Sequence, residues 1–229
     1  MKDERKVTLI TTIWKRRKYL DRFLNAWLAQ PNIDEIIVWD NSGEYRPAVL
    51  DPRIKIINAS YNFGTWVRDM ASMLAKNELV IVSDDDVIVE EGLVEEMLGY
   101  YTKDMLLGVW GRQFKGQKTY GETGTCNSKT IDIDKLTDVD FVVGLIYMTE
   151  RKYLFPIDHR DMMWTCYDLH LNGELKKHYP QVRRCLFPTT KWEQTEEETD
   201  TSALNRHEDA GKEKQELYER YWLNDKVVA

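Results

Sequence analysis

The first half of the chain alternates two hydrophobic periods. Residues 6–13 (KVTLITTI) are β-branched and apolar in the manner of a strand, and residues 16–30 (RRKYLDRFLNAWLAQ) place Leu20, Phe23, Leu24, Trp27 and Leu28 on one helical face. Residues 34–41 (DEIIVWDN) read as a second strand and 54–60 (IKIINAS) as a third. Residues 65–77 (TWVRDMASMLAKN) read as a helix opened by the Gly64–Thr65 turn, and 78–86 (ELVIVSDDD) as a fourth strand. Unbroken apolar runs such as Ile36–Trp39 and Leu79–Val82 suit strands covered on both faces. Strands separated by crossover helices predict an α/β fold with a mainly parallel sheet flanked by helices.

The pattern changes after Asp86. Residues 90–104 read as a helix, 106–114 (LLGVWGRQF) as a strand, and 116–129 as a Gly-, Thr- and Lys-rich connection with hairpin character. Residues 138–154 give an apolar strand running into a short helix, and 161–179 a long helix stopped by Pro180. Residues 193–209 (EQTEEETDTSALNRHED) are acidic with no apolar period and predict a mobile loop. Residues 210–225 predict an amphipathic helix docked through Leu217, Tyr221 and Trp222. One domain over 1–229 is expected, divided into halves at 1–104 and 105–192, the loop at 193–209 and a terminal helix within 210–229.

Composition narrows the classes. A chain of 229 residues with 42% hydrophobic and 31% charged residues and only 6 Pro can bury a sizeable core. A formal charge of -7 argues against a surface that grips nucleic acid throughout, leaving room only for a local basic groove. Cys126, Cys166 and Cys185 form no CxxC pair, so neither a zinc ribbon nor a disulfide framework is expected and a reducing compartment fits. The N-terminal apolar run is short for a signal peptide, and no segment reaches the roughly 20 apolar residues of a membrane span. The expectation is a soluble cytoplasmic protein, in the host cytoplasm if the source is viral.

The candidate chemistry begins where the fourth strand meets Asp84, Asp85 and Asp86. Ligands of open α/β sheets sit beyond the carboxyl ends of strands. An extended chain there points Asp84 and Asp86 to one side and Asp85 to the other. Two close carboxylates repel unless a cation or donors compensate. Mg²⁺ or Mn²⁺ suits such oxygen ligands and leaves positions for substrate phosphates, so the triplet reads as a metal bridge to a diphosphate. The plainer alternative is an Asp-rich turn capping the helix near Glu90.

Several ordered blocks resemble a known family. The stretches LDRFLNAWLAQPNIDEIIVWDNSGE, LVIVSDDDVIVEEGL, LLGVWGRQF, FVVGLIYMTERKYL and CYDLHLN follow one another as in GT-A glycosyltransferases, and most resemble the exostosin-like enzymes that transfer N-acetylhexosamine from UDP-sugars in heparan sulfate synthesis. Tyr167 departs from that pattern, standing where an acidic residue usually precedes the equivalent of Asp168. Trp14-Lys15-Arg16-Arg17 also replaces the usual Tyr-Asn-Arg after the first strand.

The resemblance implies a metal-dependent transfer from a UDP-sugar, with retention, to a glycan, lipid-linked or glycoprotein acceptor. It makes 1–104 the nucleotide-binding half and 105–192 the acceptor half. Asp86 would ligate Mn²⁺ or Mg²⁺, Asp84 would contact metal or ribose, and Asp85 would complete the site or serve its own turn. Thr11, Thr12 and Asp40 would bracket uracil and ribose, although strand packing equally suits the threonines. Asn62 and Arg68 would contact the nucleotide. Arg16 and Arg17 have the chemistry to bind diphosphate by charge-assisted hydrogen bonds, and a solvated helix N-terminus suits them equally. Arg206 is placed where a basic residue closes over the diphosphate, and His207 is a candidate metal ligand.

On the helix, Trp164, Asp168 and Asn172 share one face at i, i+4 and i+8, where an aromatic ring, a carboxylate and an amide can stack and orient an acceptor sugar. Asp168 would be a general base if the reaction inverts and a positioning group if it retains. A surface pair with Lys176 or Arg183 is the plainer reading. Trp66, Trp110, Trp164 and Trp192 are candidates for a glycan groove, though with 8 Trp several must be core. Two other classes stay open: a catalytically silent sugar- or nucleotide-binding module, and a nucleotidyltransferase.

Overall fold

Parallel strands with both faces covered need apolar residues at successive positions, and Val7–Ile13 (β1) is buried along its whole length. The computed structural model describes residues 4–15, 18–131, 135–158, 166–195 and 209–223. Besides β1, its strands are Ile33–Asp40 (β2), Ile54–Asn58 (β3), Leu79–Ser83 (β4), Val87–Val89 (β5), Met105–Gly108 (β6), Trp110–Gln113 (β7), Gly124–Asn127 (β8), Thr137–Asp138 (β9), Phe141–Val142 (β10), Ile146–Glu150 (β11), Arg183–Leu186 (β12) and Trp192–Gln194 (β13). The α-helices are Leu20–Leu28 (α1), Val67–Ser72 (α2), Leu93–Tyr100 (α3), Tyr167–His178 (α4) and Ala210–Tyr218 (α5).

The main sheet has eight strands in the order β3-β2-β1-β4-β11-β6-β12-β9. Strands β1 to β4 pair in parallel, and β11 lies antiparallel between β4 and β6. The expected mixed, mainly parallel sheet is therefore present. A second sheet, β10-β7-β8, and a two-stranded pair, β13-β5, stand apart from it.

Alternation along β1 sorts its side chains. Val7, Leu9 and Ile13 pack with Leu20, Phe23, Leu24 and Trp27 of α1 and with Leu93, Val94 and Met97 of α3. Ile10 packs on the other face with Val80, Val82, Ala71 of α2 and Leu171 and Leu175 of α4. Each large side chain fully buried this way contributes about 1.5–3 kcal/mol relative to exposure. A third cluster joins Phe141, Leu169, Leu217 and Tyr221, with Trp222 against it, so the terminal helix docks through the residues expected.

Several boundaries differ from the sequence reading. The strand expected over 106–114 breaks at Val109, which lets β6 stay in the main sheet while β7 joins the second. The strand expected over 138–154 is split in the same way into β10 and β11. Asp84 to Asp86 form a turn rather than a strand extension, closed by Val87 N donating to Asp84 O at 3.4 Å. The helix expected over 65–77 is regular only across α2. The long helix begins at Tyr167, with 161–165 outside the described residues. Glu193 and Gln194, assigned to the loop, are strand residues, and 196–208 lie outside the described residues. No helix among the described residues is long and apolar enough to cross a membrane.

Candidate active site

In the strand order 2-1-4 the chain leaves β1 in one direction for β2 and returns on its other side as β4, so the crevice beyond the carboxyl ends of β1 and β4 is the topological switch point. A cavity of about 480 Å³ opens there. Its inner end is lined by Thr12 and Ile13 from β1, Asn41 after β2, Asn62 and Gly64 before α2, Arg68 on α2, and the Asp84–Asp86 turn. Its outer end is lined by Trp110 and Arg112 of β7, Tyr120, Thr125 of β8 and Lys214 of α5, while Gln194 of β13 stands beside Asp86.

Arg68 organises the inner end. It is 4% exposed and reaches three elements. Its Nε donates to Thr12 Oγ1 at 3.2 Å, one terminal nitrogen donates to Gly144 O at 3.3 Å, and the other pairs with Asp84 Oδ1. Burial works against the guanidinium charge, but its neighbours together, led by the Asp84 carboxylate and including Tyr147 and Tyr167, raise the Arg68 pKa. Asn62 shapes the adjoining turn by accepting from Gly64 N at 2.9 Å, and Asn41 donates to Gly64 O at 3.0 Å.

All three aspartates of the triplet line the cavity, so the turn gathers carboxylates that an extended strand would have split between two faces. Asp85 is 7% exposed. Asp86 Oδ2 accepts from Gln194 Nε2 at 3.1 Å, and the Asp86 carbonyl accepts from Thr195 N at 2.8 Å. Among the described residues no group of three or more His, Cys, Asp or Glu side chains is arranged to hold an ion by itself. The donor set still fits a hard divalent cation. Mg²⁺-type sites use one or two carboxylates and complete their shell with water and substrate phosphate, and Asp84 and Asp86 are carboxylates that line this cavity, Asp84 being paired with Arg68.

Asp168 stands in the first turn of α4 and closes the cavity from the side of the second sheet. Its Oδ2 accepts from Gly144 N at 3.2 Å and its Oδ1 from Leu169 N at 3.0 Å. Gly144 packs closely between Asp168 and Arg68. A Cβ there would lie 3.3 Å from the Asp168 Cβ and 3.5 Å from an Arg68 terminal nitrogen, so the bare backbone lets these two opposite charges share one wall. Tyr120 lies close enough that its hydroxyl pKa is raised, chiefly by burial and next by the Asp168 charge.

Tyr167, the departure from the expected acidic residue, is 3% exposed and lines the same cavity. Its hydroxyl donates to Asp69 Oδ1 at 2.5 Å and meets the Tyr147 hydroxyl at 3.0 Å. Asp69 follows Arg68 and Tyr167 precedes Asp168, so this buried contact fastens the helix bearing the cation to the helix bearing the carboxylate.

The structure brings Thr12, Asn62, Arg68, Asp84, Asp85, Asp86 and Asp168 to one cavity. Three expected residues are elsewhere. Thr11 is fully buried on the opposite face of β1 from Thr12. Asp40 is fully buried and holds the loop after β2, its Oδ1 accepting from Ser42 N at 2.8 Å and its Oδ2 from Tyr45 N at 2.6 Å. Asn172 is also buried and straps α4 to β10, accepting from Val142 N at 2.9 Å and donating to Val142 O at 2.8 Å. Arg16, Arg17, Trp164, Arg206 and His207 lie outside the described residues. Arg112, Tyr120, Thr125, Gln194 and Lys214 were not anticipated. Only Trp110 among the outer residues had a signal, as an aromatic candidate for a glycan groove.

Residues 8–162 match the family model described as Glycosyl transferase family 2. A comparison with curated proteins finds no match. Among solved structures, S. aureus TarS 1–349 in complex with UDP-GlcNAc superposes with a TM-score of 0.62 at 14% identity, over 88% of this chain and 61% of that one. S. aureus TarS 1–349 gives 0.55 at 15% identity over 83% of this chain and 60% of its own, and its complex with UDP gives 0.55 at 16% over 82% and 59%. The likeness is one of fold, and the chain spans about three fifths of the TarS fragment's length.

Proposed function

The chain belongs to glycosyl transferase family 2 and has the GT-A fold, and on that premise we propose that it transfers a hexosyl or N-acetylhexosaminyl group from a UDP-sugar to a hydroxyl of a glycan, lipid-linked or glycoprotein acceptor. The observation that carries this reading is the convergence, in one cavity at the switch point, of Arg68 paired with Asp84, the Asp85–Asp86 turn, and Asp168 across Gly144 from Arg68. The UDP-GlcNAc and UDP complexes of TarS, a protein of the same fold, support the choice of donor.

In this reading Asn41, Asn62 and Thr12 lie along the nucleoside, and Arg68 faces the diphosphate. Asp86, with Asp84, would hold Mn²⁺ or Mg²⁺, which when bound neutralises charge on the departing UDP. Asp168 accepts the proton of the acceptor hydroxyl, whose oxygen forms the new bond to the anomeric carbon as the bond to the UDP oxygen breaks and its electron pair leaves with UDP. Asp168 acting as base on a hydroxyl that attacks opposite the leaving group would invert the anomeric centre. The retention implied by the exostosin-like resemblance would leave Asp168 a positioning group. The anomer of the product, read by NMR, separates the two. A soluble enzyme of the cytoplasm fits this reading.

The test is Asp168→Asn, assayed as UDP release from a panel of UDP-sugars with Mn²⁺. Turnover should drop about 10²–10⁴-fold, the usual worth of a general base, while UDP affinity stays close to wild type. Undiminished turnover would remove Asp168 from the chemistry. A wild-type chain that binds UDP but never releases it from a UDP-sugar would be a silent binding module, and pyrophosphate release from a free nucleoside triphosphate would mark a nucleotidyltransferase.

A further inference from the structure

The outer end of the cavity carries chemistry that the donor does not use. Arg112 and Lys214 both line it, one from β7 and the other from α5. The Arg112 guanidinium lies over the Tyr120 ring at 4.5 Å, and one of its terminal nitrogens donates to Thr123 Oγ1 at 2.9 Å and to Thr123 O at 3.2 Å. It is thus held by neutral groups. Among the described residues neither Arg112 nor Lys214 forms an ion pair, whereas Arg53, Lys55, Arg183 and Lys191 all find carboxylates. In a chain with 39 acidic and 32 basic residues, these two half-buried cations line one cavity with no carboxylate among the described residues in ion-pair contact.

Beside them lies a platform. Trp110 lines the cavity and packs at 6.2 Å against Trp192, whose indole donates to Ser128 Oγ at 2.8 Å and whose ring carries Lys129 at 4.3 Å. An aromatic ring braced from behind suits the apolar face of a sugar. The geometry points to an acceptor subsite for a sugar bearing an acidic group, phosphate or carboxylate, seated on Trp110 and held by Arg112 and Lys214. This assignment rests on the glycosyltransferase reading of the same cavity, since it places the bound sugar next to Asp168. A long nucleic acid fits less well, because the chain's net charge of -7 repels an extended polyanion while the two cations are confined to the cavity.

The test is calorimetric titration of glucose, glucose 6-phosphate and glucuronate into the protein, with and without saturating UDP and Mn²⁺. The acidic sugars should bind about tenfold more tightly than glucose, the scale of one charge-assisted hydrogen bond. The ratio between phosphate and carboxylate identifies the group preferred. Arg112→Met combined with Lys214→Met should erase the preference, and Lys214→Met alone, a change on one face of a helix, should remove part of it without unfolding the chain. Equal or absent binding of all three sugars overturns the assignment, as does a preference that survives the double substitution. A double variant that loses UDP affinity by the same factor gives the cations to the donor, and displacement of glucose 6-phosphate by a short single-stranded oligonucleotide gives them to nucleic acid. If UDP itself fails to bind, the donor reading falls while the sugar series still reads the outer site.

Discussion

Glu35 shows how a single carboxylate can stabilise the end of the sheet away from the cavity. It is 1% exposed, accepts at Oε2 from Thr8 Oγ1 at 2.6 Å and from Lys76 N at 2.8 Å, and pairs at Oε1 with Lys55 Nζ at 2.5 Å. Burial alone would raise its pKa, but the Lys55, Thr8 and Lys76 contacts together pull it below the ordinary 4.5. A lowered folded-state pKa stabilises the fold above the unfolded-state value, and that stability is lost as the pH falls through the folded value. Urea denaturation across a pH series should therefore show wild-type stability declining below 4.5, with a shallower decline in Glu35→Gln. At neutral pH the variant should lose about 1–3 kcal/mol, the usual penalty for weakening a buried polar network. Identical acid slopes in the two proteins would show that Glu35 does not contribute this stability. At this scale the sequence separates candidate residues poorly. Asp40 and Asn172 have the chemistry of site residues, yet short polar side chains serve backbone groups as readily as ligands, and both are spent that way. Thr11 and Thr12 differ only in the parity of a strand.

At the scale of elements, α4 and the terminal helix depend on Gly173. A Cβ at this position would press into the Tyr221 ring well inside van der Waals contact, and that tyrosine is pinned by its hydroxyl to Glu174 Oε1 at 2.7 Å and His170 Nδ1 at 3.1 Å. Gly→Ala at an open helical position would add stability through helix propensity. Here overpacking dominates, and Gly173→Ala should cost about 1–3 kcal/mol. A thermal melt reads the sign, and a stabilised variant would show that Tyr221 does not press on α4. The elements legible in sequence are those with a local period of their own: β1, α1, β2, β3, β4, α3, α4 and the terminal helix. The three-residue strands β5 and β13 were not anticipated, because each is defined by the other, Val87 to Val89 pairing with Trp192 to Gln194 across about a hundred residues of chain. The outer wall of the cavity was hidden for the same reason. It comes from β7, β8 and α5, which meet only in the folded chain, whereas the inner wall follows β1 and β4 and could be read from strand ends.

At the scale of the whole molecule, one cavity at the switch point joins two electrostatic tasks. Its inner end combines Arg68 with the carboxylates of the triplet, its outer end offers Arg112 and Lys214, and Asp168 lies on the wall that links the two. The carboxylates at the inner end would repel the diphosphate of UDP unless a divalent cation stood between them. Titrating UDP calorimetrically into the wild-type chain and into Asp86→Ala, each with Mn²⁺, with Mg²⁺ and with chelator, tests that claim most directly. One of the two metals should tighten UDP binding to the wild type by about tenfold or more, equivalent to about 1.4 kcal/mol, and should do nothing for Asp86→Ala. UDP affinity that is the same with and without metal, or metal enhancement that persists in Asp86→Ala, would contradict it.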